Sequence, residues 1–266
     1  MKHGDTLISG QRVGLFASCP VDLLRPSVGF ASATLLQRAG FVVEVPPQSC
    51  CGQVNFNSGM PEQTRQLAWQ LITTFEAYDY TVVPSGSCGG MIRHHYPELF
   101  KGDPRLPRVR EFCERVYELT TFLTEVAGVS VEDITSASEM TNVVTYHDSC
   151  AGLREMGIKS QPRELLQSSG VTITEMADTD VCCGFGGAFC VKFSDVSGRM
   201  ADNKLDNACA AGASLVLGGD VSCLLHLAGR AQRRGLPLQF RHVAEVLAGD
   251  FGTPAIGEAE GGADES

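Results

Sequence analysis

The sequence lacks the features that mark several common classes of protein. Its 266 residues contain no apolar run approaching the ~20 residues with which a helix crosses a bilayer. It has no basic excess of the kind that nucleic-acid binders use, because Asp and Glu outnumber Lys and Arg by 31 to 21. No apolar signal core follows Met1. We therefore expect a cytoplasmic protein with no direct membrane span and no nucleic-acid partner.

Two catalytic signatures are also missing, and cysteine is abundant instead. The sequence shows no glycine fingerprint of a nucleotide-binding strand and helix, and no serine hydrolase elbow. It has 11 cysteines, an odd number that cannot all form pairs. Disulfides are rare in reducing compartments, so this many cysteines indicates metal binding or thiol chemistry.

The chain repeats once, with an offset that stays near 130 residues. Leu35-Leu36-Gln37 recurs as Leu165-Leu166-Gln167, and Cys50-Cys51-Gly52 recurs as Cys182-Cys183-Gly184. Cys19 matches Cys150, and Cys88 matches Cys223. Such a repeat indicates two structural units with the same fold.

Each half alternates short apolar runs with segments of helical periodicity. This pattern predicts an α/β fold of two pseudo-symmetric lobes, each a parallel sheet flanked by helices. We assign residues 12–128 to the first lobe, including a linking helix over 106–127, and residues 140–249 to the second. Residues 250–266 are rich in Gly, Ala and Glu and are predicted to form a disordered tail.

Four cysteines of each half are expected to converge at one edge of its sheet. Cys19, Cys88, Cys150 and Cys223 each follow a predicted strand, and carboxyl ends of parallel strands are where open α/β sheets bind ligands. Thiolates suit iron–sulfur clusters and zinc. Two adjacent cysteines fit separate irons of a cluster better than one tetrahedral ion. The predicted metal ligands are Cys19, Cys50, Cys51 and Cys88 in one lobe, and Cys150, Cys182, Cys183 and Cys223 in the other.

The remaining cysteines have no partner in the repeat. Cys113 and Cys209 lie inside predicted helices, where core packing is the simpler interpretation. Cys190 lies close to the second Cys-Cys-Gly segment, and the sequence assigns it no role.

The duplicated pattern Cys … Cys-Cys-Gly … Cys resembles the cysteine-rich CCG domain found in heterodisulfide reductase and in the iron–sulfur subunit of glycolate oxidase. Over residues 13–247 the chain is most similar to the lactate utilization protein A family. The segments that carry this resemblance are Pro84-Ser85-Gly86-Ser87-Cys88, Arg93-His94-His95-Tyr96-Pro97-Glu98-Leu99, His147-Asp148-Ser149-Cys150 and Cys182-Cys183-Gly184-Phe185-Gly186-Gly187.

The resemblance implies an iron–sulfur subunit of a complex that oxidises L-lactate to pyruvate. A ferredoxin-type iron–sulfur subunit and a third small subunit would complete it, and a [4Fe–4S] cluster is the implied cofactor. The full family motif ends in Cys-x-x-Cys, but here Met91 and His226 occupy the last position. His226 is therefore a candidate nitrogen ligand, whereas a methionine sulfur is a weak one.

Five further residues are candidates for contact with substrate or with the metal site. Arg93, His94 and His95 follow Cys88 and suit a carboxylate or a proton transfer, although a helix start on the surface explains them equally well. His147 and Asp148 precede Cys150 and suit hydrogen bonds to the metal site, or a strand end capped by Asp148.

Two other functions stay open at this point. Loss of the fifth cysteine in both halves favours a zinc-stabilised structural subunit, or zinc in one half. A heterodisulfide-reductase-like component is the third interpretation, and it requires a free thiol of low pKa.

Overall fold

The computed structural model describes residues 10–128 and 142–258 and contains two parallel sheets. The first consists of β1 (Arg12–Leu15), β2 (Val42–Glu44), β3 (Tyr80–Val83) and β4 (Val116–Glu118), in the order β2-β1-β3-β4. The second consists of β5 (Val144–His147), β6 (Leu215–Gly218) and β7 (Gln239–His242), in that order. The α/β fold with two duplicated parallel sheets is thus confirmed.

The second sheet repeats the order of the first, with one strand reduced to a single bridge. Val144 of β5 forms an isolated parallel bridge with Ile173, on the side where β1 pairs with β2. Residues 171–174, whose composition predicts a strand, therefore contribute one bridge and no regular strand. The strand cores are apolar and almost fully buried, as expected for parallel sheets covered on both faces.

Helices and helical turns connect the strands in both halves. In the first they are α1 (Cys19–Leu24), α2 (Pro26–Arg38), α3 (Gln53–Asn57), α4 (Pro61–Phe75), α5 (Gly86–Gly90), a π-helical turn (Met91–His95), α6 (Tyr96–Leu99), α7 (Leu106–Glu114), α8 (Leu119–Thr121) and a second π-helical turn (Phe122–Val126). In the second they are α9 (Cys150–Arg154), α10 (Ser160–Ser168), α11 (Ala188–Lys192), α12 (Ser194–Ala210), α13 (Val221–Arg234) and α14 (Val243–Ala248).

The single linking helix predicted over 106–127 is wrong. Strand β4 interrupts it and pairs in parallel with β3, from Thr81 opposite Val116 to Val83 opposite Glu118. Val116 and Glu118 are buried, and the Glu118 carboxylate accepts hydrogen bonds from the backbone N–H groups of Thr120 and Thr121. Glu118 therefore caps α8, which begins immediately after the strand.

The hydrophobic core joins the two lobes. The central cluster contains Leu15 and Leu35 from the first lobe together with Tyr146, Leu217 and Val246 from the second. Each lobe also has a cluster of its own, around Phe75 in the first and around Leu227 in the second. Because the central cluster is shared, separating the lobes would expose apolar surface of both sheets.

Part of the predicted tail packs against the second lobe. Ala255 and Ile256 are buried, and the Ile256 N–H donates a hydrogen bond to the carbonyl of Phe240 at 2.8 Å. Residues 259–266 of that segment lie outside the described residues. Within the described residues, the helices are all too short or too polar to cross a bilayer.

A buried ion pair ties the first lobe to the last helix. Arg25, between α1 and α2, donates through Nε to Glu245 Oε1 of α14 at 2.7 Å, and Ser27 Oγ donates to the same oxygen at 2.6 Å. Glu245 is fully buried. The pair therefore holds α2 against α14 at the place where the lobes meet.

We predict that Glu245→Ala lowers the free energy of unfolding by about 3–5 kcal/mol, because it leaves the Arg25 guanidinium buried without its partner. Glu62→Ala is the matched control. It breaks an Arg65–Glu62 pair whose side chains are 34% and 66% exposed, so little change is expected. Anaerobic guanidinium unfolding followed by circular dichroism measures both. Equal losses in the two variants would contradict the prediction.

Candidate metal centres

The isolated cysteines of each set begin or lie near the start of a helix that follows a strand. Cys19 and Cys150 are the first residues of α1 and α9, after β1 and β5. Cys88 and Cys223 are the third residues of α5 and α13, after β3 and β6. The repeat thus places four thiols at equivalent positions of the carboxyl edge of each sheet.

The Cys-Cys-Gly segments lie on loops, and the glycine of each has a backbone conformation that residues with a side chain rarely adopt. Gly52 and Gly184 have φ angles of +82° and +91°, where residues with a side chain are strained. At Gly184 a Cβ atom would also lie 2.7 Å from the carbonyl oxygen of Ser197. The backbone N–H groups of the two glycines donate to Cys50 Sγ at 3.3 Å and to Cys182 Sγ at 3.4 Å.

In the first lobe the four thiols form a continuous chain of neighbours. Cys50 accepts from Cys19 and lies within hydrogen-bonding reach of Cys51, whose single S–H is donated to Cys88 with the two sulfurs 3.3 Å apart. These hydrogen bonds lower the pKa of Cys50, whereas the hydrogen bond to Cys50 and burial raise the pKa of Cys19. Without metal, Cys50 is therefore the thiol of the set that loses its proton most readily.

The second lobe repeats this arrangement. Cys182 accepts from Cys150 and Cys183, and Cys183 is hydrogen-bonded to Cys223. The same hydrogen bonds lower the pKa of Cys182 and raise that of Cys150. Both predicted ligand sets are therefore brought together, with one thiolate at the centre of each chain.

The donor sets fit a metal centre. Each lobe offers four soft sulfur donors, two of them partly open and two buried. In the second lobe, donor atoms of His147, Cys183 and Cys223 all lie within 4.8 Å of one another. Both ring nitrogens of His147 are buried and have no hydrogen-bond partner among the described residues. A bound metal at either set would replace the hydrogen bonds between thiols with metal–sulfur bonds.

Two residues beside the second set, His147 and Asp148, are both buried but have different hydrogen-bonding environments. His147 ends β5 and is buried, and desolvation by this burial lowers its pKa to about 3. Asp148 is also buried, but both of its carboxylate oxygens accept from Arg163, at 2.8 and 3.0 Å. Asp148 thus anchors the loop before Cys150 to α10.

His226 and Met91, at the positions of the missing fifth cysteines, lie in different environments. His226 Nε2 is 3.3 Å from Ser197 Oγ, and its ring stands 6.0 Å from that of Phe185. Within the described residues, His226 does not belong to the group of donors that includes His147. Met91 is fully buried in the first lobe and begins the π-helical turn after α5.

The three basic residues after Cys88 separate from one another. Arg93 donates to the carbonyl of Val116 at 2.7 Å and is half-buried, and His94 is exposed. His95 lies 3.4 Å from Glu155 of the second lobe. Their assignment to substrate or to the metal site stays a prediction.

A cavity of about 300 Å³ opens between the lobes beside the second set. All four of its thiols line the cavity. The first lobe contributes Met91 and His95 to the walls. Arg154, which follows Cys150 by four residues and is exposed, adds a guanidinium. The second set is thus accessible to a small molecule or to a partner's side chain.

The three unrepeated cysteines lie outside these sets. Cys113 is buried as predicted, and its thiol donates to the carbonyl of Ile92 at 3.1 Å. Cys190 donates to the carbonyl of Gly187 at 3.1 Å. The core position predicted for Cys209 is wrong: Cys209 is exposed, because α12 turns Ala201, Leu205 and Ala208 to the core.

Buried charged residues near the sites were missed from the sequence, among them Lys204 and Glu118. Lys204 interrupts the apolar stripe of α12, and its ammonium donates to the carbonyl oxygens of Asp178 and Thr179. The lysine on that stripe was the available signal. Burial raises the pKa of Glu118 to about 7, and this residue was hidden by the wrong assignment of β4 to a helix.

The cysteine-bearing helices of the two lobes touch directly. Gly86 of α5 packs so closely against Gly152 of α9 that a Cβ atom at Gly86 would lie 2.6 Å from the Cα atom of Gly152. Beside this contact, Asp220 Oδ2 accepts from Ser85 Oγ at 3.1 Å and from the N–H of Ser87 at 3.2 Å. The two thiol sets therefore have a fixed relative position.

We predict that Gly86→Ala costs about 1–3 kcal/mol of unfolding free energy, because two backbones must move apart. Gly229→Ala is the control in helix α13. No atom lies within 4 Å of a Cβ there, and we expect it to be neutral or to stabilise by about 0.5–1 kcal/mol. Thermal unfolding of both variants tests this. A Gly86→Ala protein as stable as Gly229→Ala would count against the backbone contact.

We further predict that Cys50 and Cys182 react first with iodoacetamide in the metal-free protein, kept reduced at pH 6. Their lowered pKa keeps them as thiolates there, so their rates should barely change between pH 6 and 8. Cys113, whose pKa burial raises to about 12, should stay unmodified. Peptide mass spectrometry follows each site. In the denatured protein the alkylation rate of every cysteine should rise with pH. The same rise at Cys50 in the folded protein would refute its lowered pKa.

The comparison with protein families gives two matched segments. The family model described as "Cysteine-rich domain" (CCG) matches residues 13–93 and 144–228, which contain the two thiol sets. A solute-binding protein of an ABC transporter from R. palustris, solved with 4-hydroxybenzoate, aligns with 14% identity and a TM-score of 0.33, over 90% of this chain and 63% of its own. A likeness at that TM-score supports no conclusion.

Curated relatives match almost the whole chain. "Lactate utilization protein A" of Macrococcus caseolyticus is 41% identical over 239 residues, which cover 89% of this chain and 96% of the relative. The protein of the same name from Exiguobacterium sp. is 42% identical, with coverages of 88% and 96%. That of Bacillus cytotoxicus is 39% identical, with coverages of 89% and 98%. The chain therefore belongs to the lactate utilization protein A family and carries two cysteine-rich CCG domains.

Proposed function

We propose that this protein is an iron–sulfur electron-transfer subunit of a complex that oxidises L-lactate to pyruvate. The observation that carries the proposal is the convergence of four thiols in each lobe, with the adjacent pair at the centre of each chain. Two neighbouring thiolates suit separate irons of one cluster, and four thiolates complete the ligation of a [4Fe–4S] cluster, which is the cofactor we propose. The link to lactate rests on the name of the curated relatives.

In this function the protein moves electrons and leaves the substrate chemistry to the assembled complex. Oxidation of lactate to pyruvate releases two electrons and two protons. The partners we propose are a ferredoxin-type iron–sulfur subunit, which would accept the electrons, and a third small subunit. The cavity beside Cys150 and Cys182 offers the approach to the second centre, with His95 and Arg154 in its walls.

A zinc centre in the second lobe is the alternative that a specific observation favours. His147, Cys183 and Cys223 have their donor atoms within 4.8 Å of one another, which suits a mononuclear ion. Zinc has no redox chemistry, so in that case electrons would pass through the first lobe or through partner subunits alone.

Metal analysis of protein purified without oxygen tests the proposal. We expect iron and sulfide in near-equal amounts and a paramagnetic signal on one-electron reduction or oxidation. Cys51→Ser and Cys183→Ser should each remove about half of the iron, because each disrupts one set. Cys209→Ala, at an exposed thiol outside both sets, is the matched control and should retain all of it.

Reconstitution with the two partner subunits then tests the role. Addition of L-lactate should reduce the clusters of the complex, and the Cys51→Ser and Cys183→Ser subunits should slow this reduction at least tenfold. Wild-type protein that holds stoichiometric zinc and no sulfide would refute the electron-transfer role. If L-lactate leaves the clusters of the full complex oxidised, the proposal that L-lactate is the substrate is refuted.

A further inference from the structure

His147 is a buried histidine without a partner. It is 1% exposed, and neither ring nitrogen has a hydrogen bond among the described residues. An unsatisfied buried polar group destabilises the folded protein, so its position requires a compensating interaction. A donor atom of the imidazole and the sulfurs of Cys183 and Cys223 all lie within 4.8 Å of one another.

The first lobe shows what a purely structural residue looks like at this position. Phe16 stands three residues before Cys19, as His147 stands three residues before Cys150. Phe16 is fully buried and packs edge-on against Phe75, with ring centroids 5.8 Å apart. The scaffold therefore accepts a hydrocarbon ring there, and packing alone does not require an imidazole in the second lobe.

The charged groups around His147 form their hydrogen bonds with other residues. The ammonium of Lys204 donates to two backbone carbonyl oxygens, and both oxygens of Asp148 accept from Arg163. His226, the histidine at the position of the missing cysteine, is hydrogen-bonded to Ser197. Of the two histidines beside the second thiol set, His147 is thus the one with free nitrogens close to the sulfurs.

We propose that His147 is a direct nitrogen ligand of the metal centre in the second lobe, together with Cys183 and Cys223. The two lobes then hold chemically different centres. The first has sulfur ligands alone, and the second has a mixed set of thiolates and one imidazole. In the second lobe His147 then replaces one of the two partly open thiols, Cys150 or Cys182, as the fourth ligand. A neutral imidazole in place of an anionic thiolate raises the reduction potential of a cluster. The second centre, which lines the cavity, is therefore the better electron acceptor of the two.

The inference rests on the proposed function only for the identity of the metal. We would label the protein with ¹⁵N-histidine, purify it without oxygen and record pulsed electron paramagnetic resonance of its clusters. A strong hyperfine coupling that changes between ¹⁴N- and ¹⁵N-histidine identifies a bound imidazole. We expect this coupling in wild type and in His226→Gln, and its loss in His147→Phe.

His147→Phe copies the residue that the first lobe carries, and His147→Asn serves as a second variant if the phenylalanine disturbs folding. In both His147 variants we expect loss of the hyperfine coupling together with a lower reduction potential of one cluster, while the reduction potential of the other cluster stays unchanged. Wild-type clusters without a coupled histidine nitrogen, or a coupling that survives in both His147 variants, would overturn the inference.

The two proposals fail separately. If the second lobe holds zinc, the electron-transfer role fails there, and X-ray absorption at the zinc edge then reports the ligand. One nitrogen among the zinc ligands, absent from His147→Phe, would still support His147 as a ligand. Sulfur ligands alone in wild type would overturn it.

Discussion

The arrangement of both thiol sets depends on one buried carboxylate. Asp220 caps its own helix α13 by accepting from the N–H of Ser222 at 3.1 Å, and its other oxygen accepts from Ser85 and Ser87 at the start of α5. These two helices carry Cys223 and Cys88 at equivalent third positions. A charged acceptor that satisfies the free N–H groups of two helices fixes their ends relative to each other. The thiol that completes each set is therefore positioned by a residue that binds no metal, and the spacing of the two centres follows from it.

Close packing makes this arrangement rigid. The direct contact of Gly86 with Gly152 leaves no room for a side chain between α5 and α9, and the central core buries residues of both sheets together. The buried pair of Arg25 and Glu245 adds a second polar contact between the two lobes. In the proposed electron-transfer role such rigidity is an advantage, because the distance between the two thiol sets does not fluctuate. The same constraint explains why the cavity at this interface is lined by residues of both lobes.

The sequence predicted the repeat, the fold class and the meeting of the thiols of each set, because these depend on strand order and on the direction of parallel strands. It failed where tertiary pairing decides the structure. Three residues at Val116–Glu118 become a strand only because β3 offers an edge, and their spacing alone is compatible with a helix. Residues 171–174 have the composition of a strand, yet among them only Ile173 forms a β-bridge, with Val144 of β5. The roles of Asp220 and Lys204 were missed because their partners lie far away in sequence, Ser85 for Asp220 and the carbonyl oxygens of Asp178 and Thr179 for Lys204.

Duplication gave both lobes the same scaffold for thiols, so differences between them are confined to residues that the scaffold does not fix. The Cys-Cys-Gly loop is constrained by the positive φ angle of its glycine and by the N–H that donates to sulfur. The position three residues before Cys19 and before Cys150 has no such constraint, and it holds Phe16 in one lobe and His147 in the other. A change there alters the donors available to a metal without moving a thiol. Two centres of unequal potential can therefore arise from one duplicated fold by substitution at a single buried position, and an unequal pair gives electron transfer a direction.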